Sequence, residues 1–304
     1  MSYPLRRRAF CRSLAAAPLV AAAGAAEADE PQPPRVDCHL HCFGGPDPKF
    51  PYHRRAPYRP RVAATPEHLL KCMDGAGVDY AIVVHPEPYQ DDHRYLEHCL
   101  KKGKGRLKGT VLLFSDRGGS LEQLPKLVKQ FEVVAVRVHA YAPDRLPPFG
   151  KPELRQLWRI ASEFGLAVQL HFEPRYAAGF EPLIREFRDT RVIIDHMGRP
   201  FQGTPKEHAV VVNWAKFPNT VMKLSSIPDQ KKYPHRDIRP VVRQLTESFG
   251  ADRMIYGGGF NAEATGDSYR AAFERARALI AHLPASDQDK ILGATAKRLF
   301  QFGG

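Results

Sequence analysis

Eight short apolar runs alternate with eight helix-like patterns between residues 36 and 282, and this alternation constrains the fold more than any other feature. The apolar runs have the length of buried strands, and the segments between them have the spacing of amphipathic helices. Eight strand–helix units in about 270 residues match the count of a (β/α)8 barrel. The predicted strands are 36–43, 80–85, 109–114, 133–139, 167–172, 192–196, 221–225 and 254–258, and the predicted helices are 66–76, 91–102, 121–131, 152–164, 180–188, 207–216, 238–249 and 269–282.

The main alternative is a doubly wound open sheet, which favours a glycine-rich G-x-G-x-x-G turn after its first strand. The first predicted strand continues as DCHLHCFGG, residues 37–45, which fits that fingerprint poorly. We find no internal repeat, low-complexity tract or linker within residues 35–303. We therefore predict a single α/β domain, a (β/α)8 TIM barrel, over that range. Residues 44–64 are rich in Pro, Arg and Tyr and predict a long loop at the barrel mouth.

Residues 1–28 have the order of an export signal. The basic segment RRRAFCRSL precedes the apolar AAAPLVAAAGAA and the acidic EADE, as in signal peptides. Arg7 and Arg8, followed by Phe10 and Arg12, are similar to the twin-arginine type. We expect an exported protein, periplasmic or extracellular, and this route would allow a cofactor to be loaded before export. The apolar run is too short for a stable membrane anchor.

The chain carries a formal net charge of +12, but its basic residues are dispersed. The densest run is KKGKGRLK, residues 101–108, and no nucleic-acid-binding motif accompanies it. The charge therefore predicts attraction of small anionic substrates and no nucleic-acid partner. The oligomeric state stays open, because an interface patch cannot be separated from core in this sequence.

Four cysteines lie outside the predicted signal: Cys38, Cys42, Cys72 and Cys99. Cys38 and Cys42 would be about 13 Å apart along one strand, which is too far for a disulfide. We expect both against the helices, and we expect buried free thiols.

Imidazole side chains gather at the predicted strand ends, where barrel enzymes place their reactive groups. His39 and His41 lie two apart on the first strand and therefore share a face, and His171 lies at the end of the fifth. We predict that these three histidines hold a divalent metal, with Zn²⁺ as the expected ion and one position open for water. His196 is predicted to bind metal or substrate or to shuttle a proton. Asp195 should point away if His196 points in, because strand neighbours alternate.

A second set of residues at or near the strand ends is predicted to bind an anionic substrate. Guanidinium groups bind carboxylates bidentately, and imidazole or phenol groups can bond substrate oxygens. The alternative for any one of the cations is an ordinary rim of solvated charge. The predicted substrate-binding residues are His85, Tyr89, Arg137, His139, Arg199 and Lys223.

Several segments resemble the amidohydrolase-related superfamily, within it the branch of sugar-acid and pyrone-dicarboxylate lactonases and aromatic-acid decarboxylases. The resemblance extends from about Arg35 to Phe302 and implies a TIM-barrel, metal-dependent hydrolase. DCHLHCF is similar to the first-strand metal motif, VIIDHMGRP to the lactonase sixth-strand motif and VMKLSS to the seventh. VVHPEPYQDDHRYL resembles a lactonase motif, although His85 and His93 stand where Gln and Asn are usual. ILGATAKRLFQF resembles the closing helix, with Thr295 where Asn is common.

The eighth strand departs from the family pattern. Related enzymes end this strand in Gly-Ser/Thr-Asp, whereas this chain reads Gly257-Gly258-Gly259, with Gly259 at the Asp position. A glycine can neither ligate a metal through a side chain nor accept a proton. Glu173 or Glu263 could substitute as the base, or the site could work without metal, as some lactonases of this branch do.

We interpret the chain as a hydrolase of a small anionic cyclic ester or a related carboxylated substrate, with His196 and Glu173 as catalytic residues. The metal would polarise the carbonyl and activate water. Two alternatives stay open. One is a non-hydrolytic decarboxylase of an aromatic acid on the same scaffold, and the other is a degenerate barrel that binds a ligand without turnover.

Overall fold

A computed structural model describes residues 32–141, 145–229 and 231–303, so the predicted signal, residues 1–28, lies outside the described residues. Eight parallel strands form one sheet in the order β1 to β8, each pairing with the next along the chain. The strands are β1 Val36–Leu40, β2 Tyr80–Val84, β3 Leu107–Leu112, β4 Val133–Ala140, β5 Ala167–Phe172, β6 Val192–Ile194, β7 Thr220–Leu224 and β8 Met254–Tyr256. The predicted (β/α)8 TIM barrel is confirmed.

The barrel is nearly closed by the approach of the end of β8 to β1. A Cβ atom built on Gly257 would lie 2.6 Å from the backbone nitrogen of His39. Real Cβ contacts are essentially never that short, so only glycine permits this approach of the two strands.

Helices follow the strands, as the spacing predicts. They are α1 Pro66–Ala76, α2 Arg94–Gly103, α3 Leu124–Gln130, α4 Pro152–Glu163, α5 Glu181–Glu186, α6 Pro205–Asn213, α7 Arg239–Phe249, α8 Gly266–Leu279, α9 Ala285–Asp289 and α10 Thr295–Phe300. Their ends carry standard signals: the Thr65 side chain accepts a hydrogen bond at the start of α1, and Gly77 ends that helix with a left-handed φ of 69°. Thr204 and Thr265 form capping boxes at α6 and α8. None of the helices in the described ranges is long and apolar enough to cross a membrane.

The lower half of the barrel interior is apolar. Aromatic side chains from the C-terminal segment cover it at the end where β2 begins, and the Phe302 ring stacks on Tyr80 at 4.9 Å. This cluster consists of Val36, Cys38, Ile82, Val84, Ala135, Ala167, Ile193, Val221, Ile255, Ala296, Phe300 and Phe302. The polar inward positions therefore lie above it, at the C-terminal ends of the strands.

All four described cysteines are buried and free, as expected. Cys42 packs in the core between strands and helices, but Cys38 belongs to the cluster inside the barrel. The expectation that both lie against the helices is therefore wrong for Cys38. The reason is that Cys38 keeps the inward direction of Val36, and the irregular pairing of β1 between Asp37 and Leu40 then brings His39 to the same side.

Candidate active site

Polar side chains fill the upper barrel interior at alternate positions of three strands. Arg137 and His139 come from β4, Gln169 and His171 from β5, and Lys223 from β7. Their strand neighbours pack outward against the helices, so the alternation of the strands selects which residues face the interior. The structure thus brings four of the predicted site residues, Arg137, His139, His171 and Lys223, into one barrel mouth.

The turn after β6 adds two more groups. β6 ends at Ile194, and the chain enters a short turn in which His196 has φ 55° and Arg199 has φ 56°. Asp195 is fully buried and keeps the inward direction of Ile193, whereas His196 is swung back toward the mouth by its left-handed backbone. The expectation that Asp195 points away from the centre is therefore wrong, because the alternation continues through Asp195 and breaks only at His196.

Asp195 is the centre of a buried network of charges. Its Oδ2 accepts hydrogen bonds from Arg137 Nε at 3.0 Å, Arg137 Nη2 at 2.9 Å and Gln169 Nε2 at 3.0 Å. Lys223 Nζ lies 3.0 Å from its Oδ1. Burial alone would raise the pKa of Asp195, but the charges of Lys223 and Arg137 hold it well below the usual value. Asp195 is therefore an anion that two fixed cations share.

Five histidine rings lie in a row above this network. Successive ring centroids are 5.0 Å apart from His41 to His39, 4.5 Å from His39 to His196, 5.1 Å from His196 to His171 and 5.0 Å from His171 to His139. Burial lowers the pKa of each ring, to about 4 for His41 and to about 3 for His196. These imidazoles are neutral at pH 7, so they can accept protons or bind ligands but add no positive charge.

His196 is half-buried, like His41 and His171, and it borders several cavities. Hydroxyl groups of Ser225 and Ser226 each lie 2.9 Å from its Nδ1. Three neighbouring cavities share His196 in their walls, and one of them, about 280 Å³ in volume, is also lined by His39 and Gly258. In the described part of the chain, Nε2 of His196 has no hydrogen-bond partner, so this nitrogen is left for a ligand.

A second polar cluster lies on the β2–β4 side of the mouth, and sequence reasoning missed it. Glu87 Oε1 accepts a hydrogen bond from His139 Nδ1 at 2.9 Å, and its other oxygen accepts one from the Tyr141 hydroxyl at 2.5 Å. Arg145 Nη1 lies 3.2 Å from the same carboxylate. Burial would raise the pKa of Glu87, but the hydrogen bonds from His139 and Tyr141 and the charge of Arg145 lower it to about 2. The position of Glu87 just beyond the second strand was the available signal.

His85 and Tyr89, two predicted substrate ligands, are buried in the loop that follows β2. His85 Nε2 donates to the Gln90 carbonyl at 2.9 Å, and the Tyr89 hydroxyl accepts from the Gly44 backbone N–H at 2.8 Å. Each thus supports the local loop, and a contact with substrate stays a prediction.

Arg199 and Glu173 lie at the rim of the mouth. Arg199 is half-buried, with its guanidinium carbon 5.7 Å from the Tyr141 ring centroid, and it forms no ion pair within the described ranges. Glu173 is paired with Arg175 at 2.8 Å, and its side chain is 21% exposed. Arg199 is therefore a cation of the rim that is left to bind an anion.

Gly259, the last of the three glycines after β8, faces α8. Gly259 has φ 114°, and a Cβ atom there would lie 2.7 Å from the Cβ of Ala272 on α8. The backbone N–H of Gly258 donates to Asp37 Oδ1 at 2.8 Å. The position at which related enzymes carry Asp thus faces a helix in this chain, and no side chain fits there without movement.

A divalent metal would find suitable donors in one place. His39, Asp195 and His196 each offer a ligand atom within 4.8 Å of the others, and Oδ1 of Asp195 receives no aligned hydrogen bond from the described residues. Two nitrogens and one carboxylate oxygen are a donor set that Zn²⁺ accepts. His41 and His171 do not belong to this group, so their assignment as ligands stays a prediction.

The charge around these donors does not fit a resident divalent ion. Asp195 is the group's one carboxylate, and it already faces Arg137 and Lys223. A further two positive charges would be buried there without a new anion, which is strongly unfavourable. The donor atoms therefore suit a metal in kind, whereas the electrostatics of the site do not.

Comparison with known proteins identifies the same family that the sequence motifs resemble. The amidohydrolase family model matches residues 36–302. A 2-pyrone-4,6-dicarboxylate hydrolase of Comamonas testosteroni is 27% identical over 241 residues, covering 73% of this chain and 75% of the relative. An L-fucono-1,5-lactonase of Burkholderia ambifaria is 26% identical over 201 residues, covering 63% and 68%. The structure of a probable 2-pyrone-4,6-dicarboxylic acid hydrolase from Acinetobacter baumannii, with citric acid bound, superposes with a TM-score of 0.70 at 20% identity, over 88% of this chain and 99% of that one.

Proposed function

We propose that this chain, which belongs to the amidohydrolase family, hydrolyses a small lactone that carries a carboxylate. The observation that carries the proposal is the surplus of fixed positive charge in the mouth: Arg137 and Lys223 share one aspartate, and Arg199 stands beside them without an ion pair among the described residues. A buried surplus of cations favours an anionic ligand. The names of the relatives, both of which act on lactones, support the same reaction.

Arg199 is proposed to hold the substrate carboxylate at the rim, since its planar guanidinium group matches a carboxylate. This contact would place the lactone carbonyl over the row of histidines. Arg137 and His139 lie in or beside that floor. His85 and Tyr89 would not contact the substrate directly. They would affect its binding by holding their loop in place.

His196 is proposed to accept the proton of the attacking water at Nε2. Its Nδ1 is fixed by the hydroxyls of Ser225 and Ser226, so the ring is oriented before substrate arrives. A positioned general base contributes about 10²–10⁴-fold to such a step. Glu173 is the second candidate base, because it ends the neighbouring strand and its side chain is partly accessible.

The test is turnover of a lactone panel with and without a carboxylate. We expect His196→Gln to lower kcat about 100-fold or more, and Arg199→Met to raise KM about 10-fold for carboxylated lactones only. His282→Gln and Arg155→Met are the matched controls, because both residues are exposed and neither lines a cavity with His196. A kcat that falls in Glu173→Gln and not in His196→Gln would transfer the role of base to Glu173.

Two outcomes would replace lactone hydrolysis. Release of carbon dioxide from an aromatic acid, with no lactone turned over, would make the protein a decarboxylase. Melting shifts with carboxylated lactones but no turnover would make it a binding protein. Export, predicted from residues 1–28, is a separate proposal, which cell fractionation of an Arg7→Lys/Arg8→Lys variant tests.

A further inference from the structure

We infer that the ammonium group of Lys223 takes the place of a divalent metal in the His39–Asp195–His196 group, and that this site needs no metal ion. The inference deepens the proposed function, because it names the cation of the same mouth. Lys223 is a deeply buried cation, with 1% of its surface exposed. A lysine buried to this degree needs a partner, and its partners here are atoms of the metal-capable group.

The ammonium group of Lys223 lies beside the oxygen of Asp195 that a metal would need. Oδ2 of Asp195 is occupied by Arg137 and Gln169, so Oδ1 is the oxygen that remains for a metal. Lys223 Nζ lies 3.0 Å from that oxygen and 3.5 Å from Nδ1 of His39. A zinc ion bonded to Oδ1 would lie about 2.1 Å from it. The two positive charges would therefore lie a few ångströms apart, and both would contact the same carboxylate oxygen.

The balance of charge points the same way. With Lys223 present, Asp195 neutralises one of two buried cations, and the site keeps one surplus positive charge. The aspartate that related enzymes carry after the eighth strand would help to offset a metal, but Gly259 stands there and faces α8. Asp37, the nearest other buried carboxylate, is turned toward Gly258 and Tyr269. Neither the position of Gly259 nor Asp37 therefore offers an anion that could compensate a divalent ion.

The consequence is specific: removal of the ammonium group should create a zinc site. In Lys223→Met, the side chain keeps its approximate length and loses its charge. Asp195 would then face one cation, and Oδ1, His39 and His196 would present the ligand set without a competing charge. The wild-type protein and this variant should therefore differ in metal content in a direction that a structural lysine would not produce.

The experiment is metal analysis of the wild-type protein and Lys223→Met, each incubated with zinc and then passed through a desalting column. We expect well under one equivalent of zinc in the wild type and about one in Lys223→Met, with the zinc lost again in Lys223→Met/His196→Ala. Lys108→Met is the matched control, because Lys108 lies on β3 and pairs with Glu132, outside this group. It should stay free of zinc.

About one equivalent of zinc in the wild type would overturn the inference, and so would a folded Lys223→Met that takes up none. If Lys223→Met does not fold, Lys223→Gln replaces it. If neither variant folds, the wild-type measurement decides alone: a zinc-free protein supports the inference, and a zinc-loaded one refutes it. None of these readouts requires turnover, so a failed lactone panel would refute the proposed function and leave this inference standing.

Discussion

Asp37 and Asp195 are fully buried carboxylates of one barrel, but they have opposite partners. Asp195 lies in the floor of the mouth and faces the cations of Arg137 and Lys223. Asp37 lies at the seam between β1 and β8, where its donors are neutral: the backbone N–H groups of His39 and Gly258, each at 2.8 Å, and the Tyr269 hydroxyl at 2.7 Å. Burial raises the pKa of Asp37 to about 7, whereas the paired charges hold that of Asp195 far lower.

The comparison teaches that burial alone does not set the charge of a carboxyl group. Asp195 stays ionised because the cost of desolvation is offset by two fixed charges. Asp37 has hydrogen bonds but no cation in contact, so it gains or loses a proton near neutral pH. The floor of the mouth therefore has a constant charge, and the seam beside the glycine run has a variable one.

The largest expected effect is the loss of stability when Asp195 can no longer be charged. Asp195→Asn leaves Arg137 and Lys223 buried without an anion, and breaking a buried pair in this way costs about 3–5 kcal/mol. We expect that loss in the free energy of unfolding, measured by urea denaturation at pH 8. Asp92→Asn is the control, because the Asp92–Arg94 pair lies near the surface and should cost less than about 1 kcal/mol. Equal losses in the two variants would contradict the role assigned to Asp195.

The second prediction uses pH to isolate Asp37. Its folded pKa of about 7 exceeds the unfolded value near 3.9, so the folded state binds more protons between these pH values. The contribution of Asp37 to stability is therefore greatest below pH 4 and is lost as the pH rises through 7. We expect the free energy of unfolding of the wild type, minus that of Asp37→Asn, to fall by on the order of 3 kcal/mol from pH 4 to pH 7.5.

The comparison of the wild type with Asp37→Asn is needed because the buried histidines change the stability with pH in the opposite direction. Burial lowers the pKa of residues such as His41 and His196, so their contribution is present above pH 6.5 and is lost as the pH falls. Both proteins carry these rings, and the term cancels in the difference. A difference that stays constant from pH 4 to pH 7.5 would mean that Asp37 does not titrate in this range.

The third prediction concerns Gly258 and Gly259, which follow β8 at the seam. Gly259→Ala combines an unfavourable φ of 114° with a Cβ contact of 2.7 Å to Ala272, and should cost about 2–4 kcal/mol. Gly258→Ala has φ 131° but open space around the new methyl group, and should cost about 1–2 kcal/mol. Urea denaturation of the two variants measures the gap between them. Equal costs would show that the approach of Gly259 to α8 is loose enough to accept a side chain.

The sequence predicted the barrel well because its evidence was periodic. The number and order of eight apolar runs and eight helical patterns stay correct even when each predicted end is wrong by a few residues. An example is β1, which ends at Leu40 rather than at residue 43. The histidine row was also predictable, because His39, His139 and His171 lie at strand ends.

The directions of Asp195 and Cys38 were not predictable, because the histidine that follows each of them breaks the alternation. The left-handed turn at His196 places Asp195 and His196 on one side, and the irregular pairing of β1 places Cys38 and His39 on one side. Neither break follows from residue preferences, since non-glycine residues rarely adopt positive φ. The Glu87 cluster was missed for another reason: it joins the segments after β2 and β4, which are far apart in sequence.

The smallest expected effect tests whether Tyr269 tunes the proton of Asp37. Tyr269→Phe removes the hydroxyl that donates to Oδ2, which should cost about 1 kcal/mol and raise the pKa of Asp37 further, because the ionised form loses a donor. The pH at which the stability difference between the wild type and Asp37→Asn stops falling should therefore move upward when both carry Tyr269→Phe. Tyr256→Phe is the matched control: its hydroxyl donates to the Gly258 carbonyl at 2.7 Å in the same seam and leaves Asp37 untouched. We expect a similar loss of stability there with no change in the pH dependence. An equal shift in both tyrosine variants would mean that the packing of the seam, and not the hydrogen bond from Tyr269, sets the pKa of Asp37.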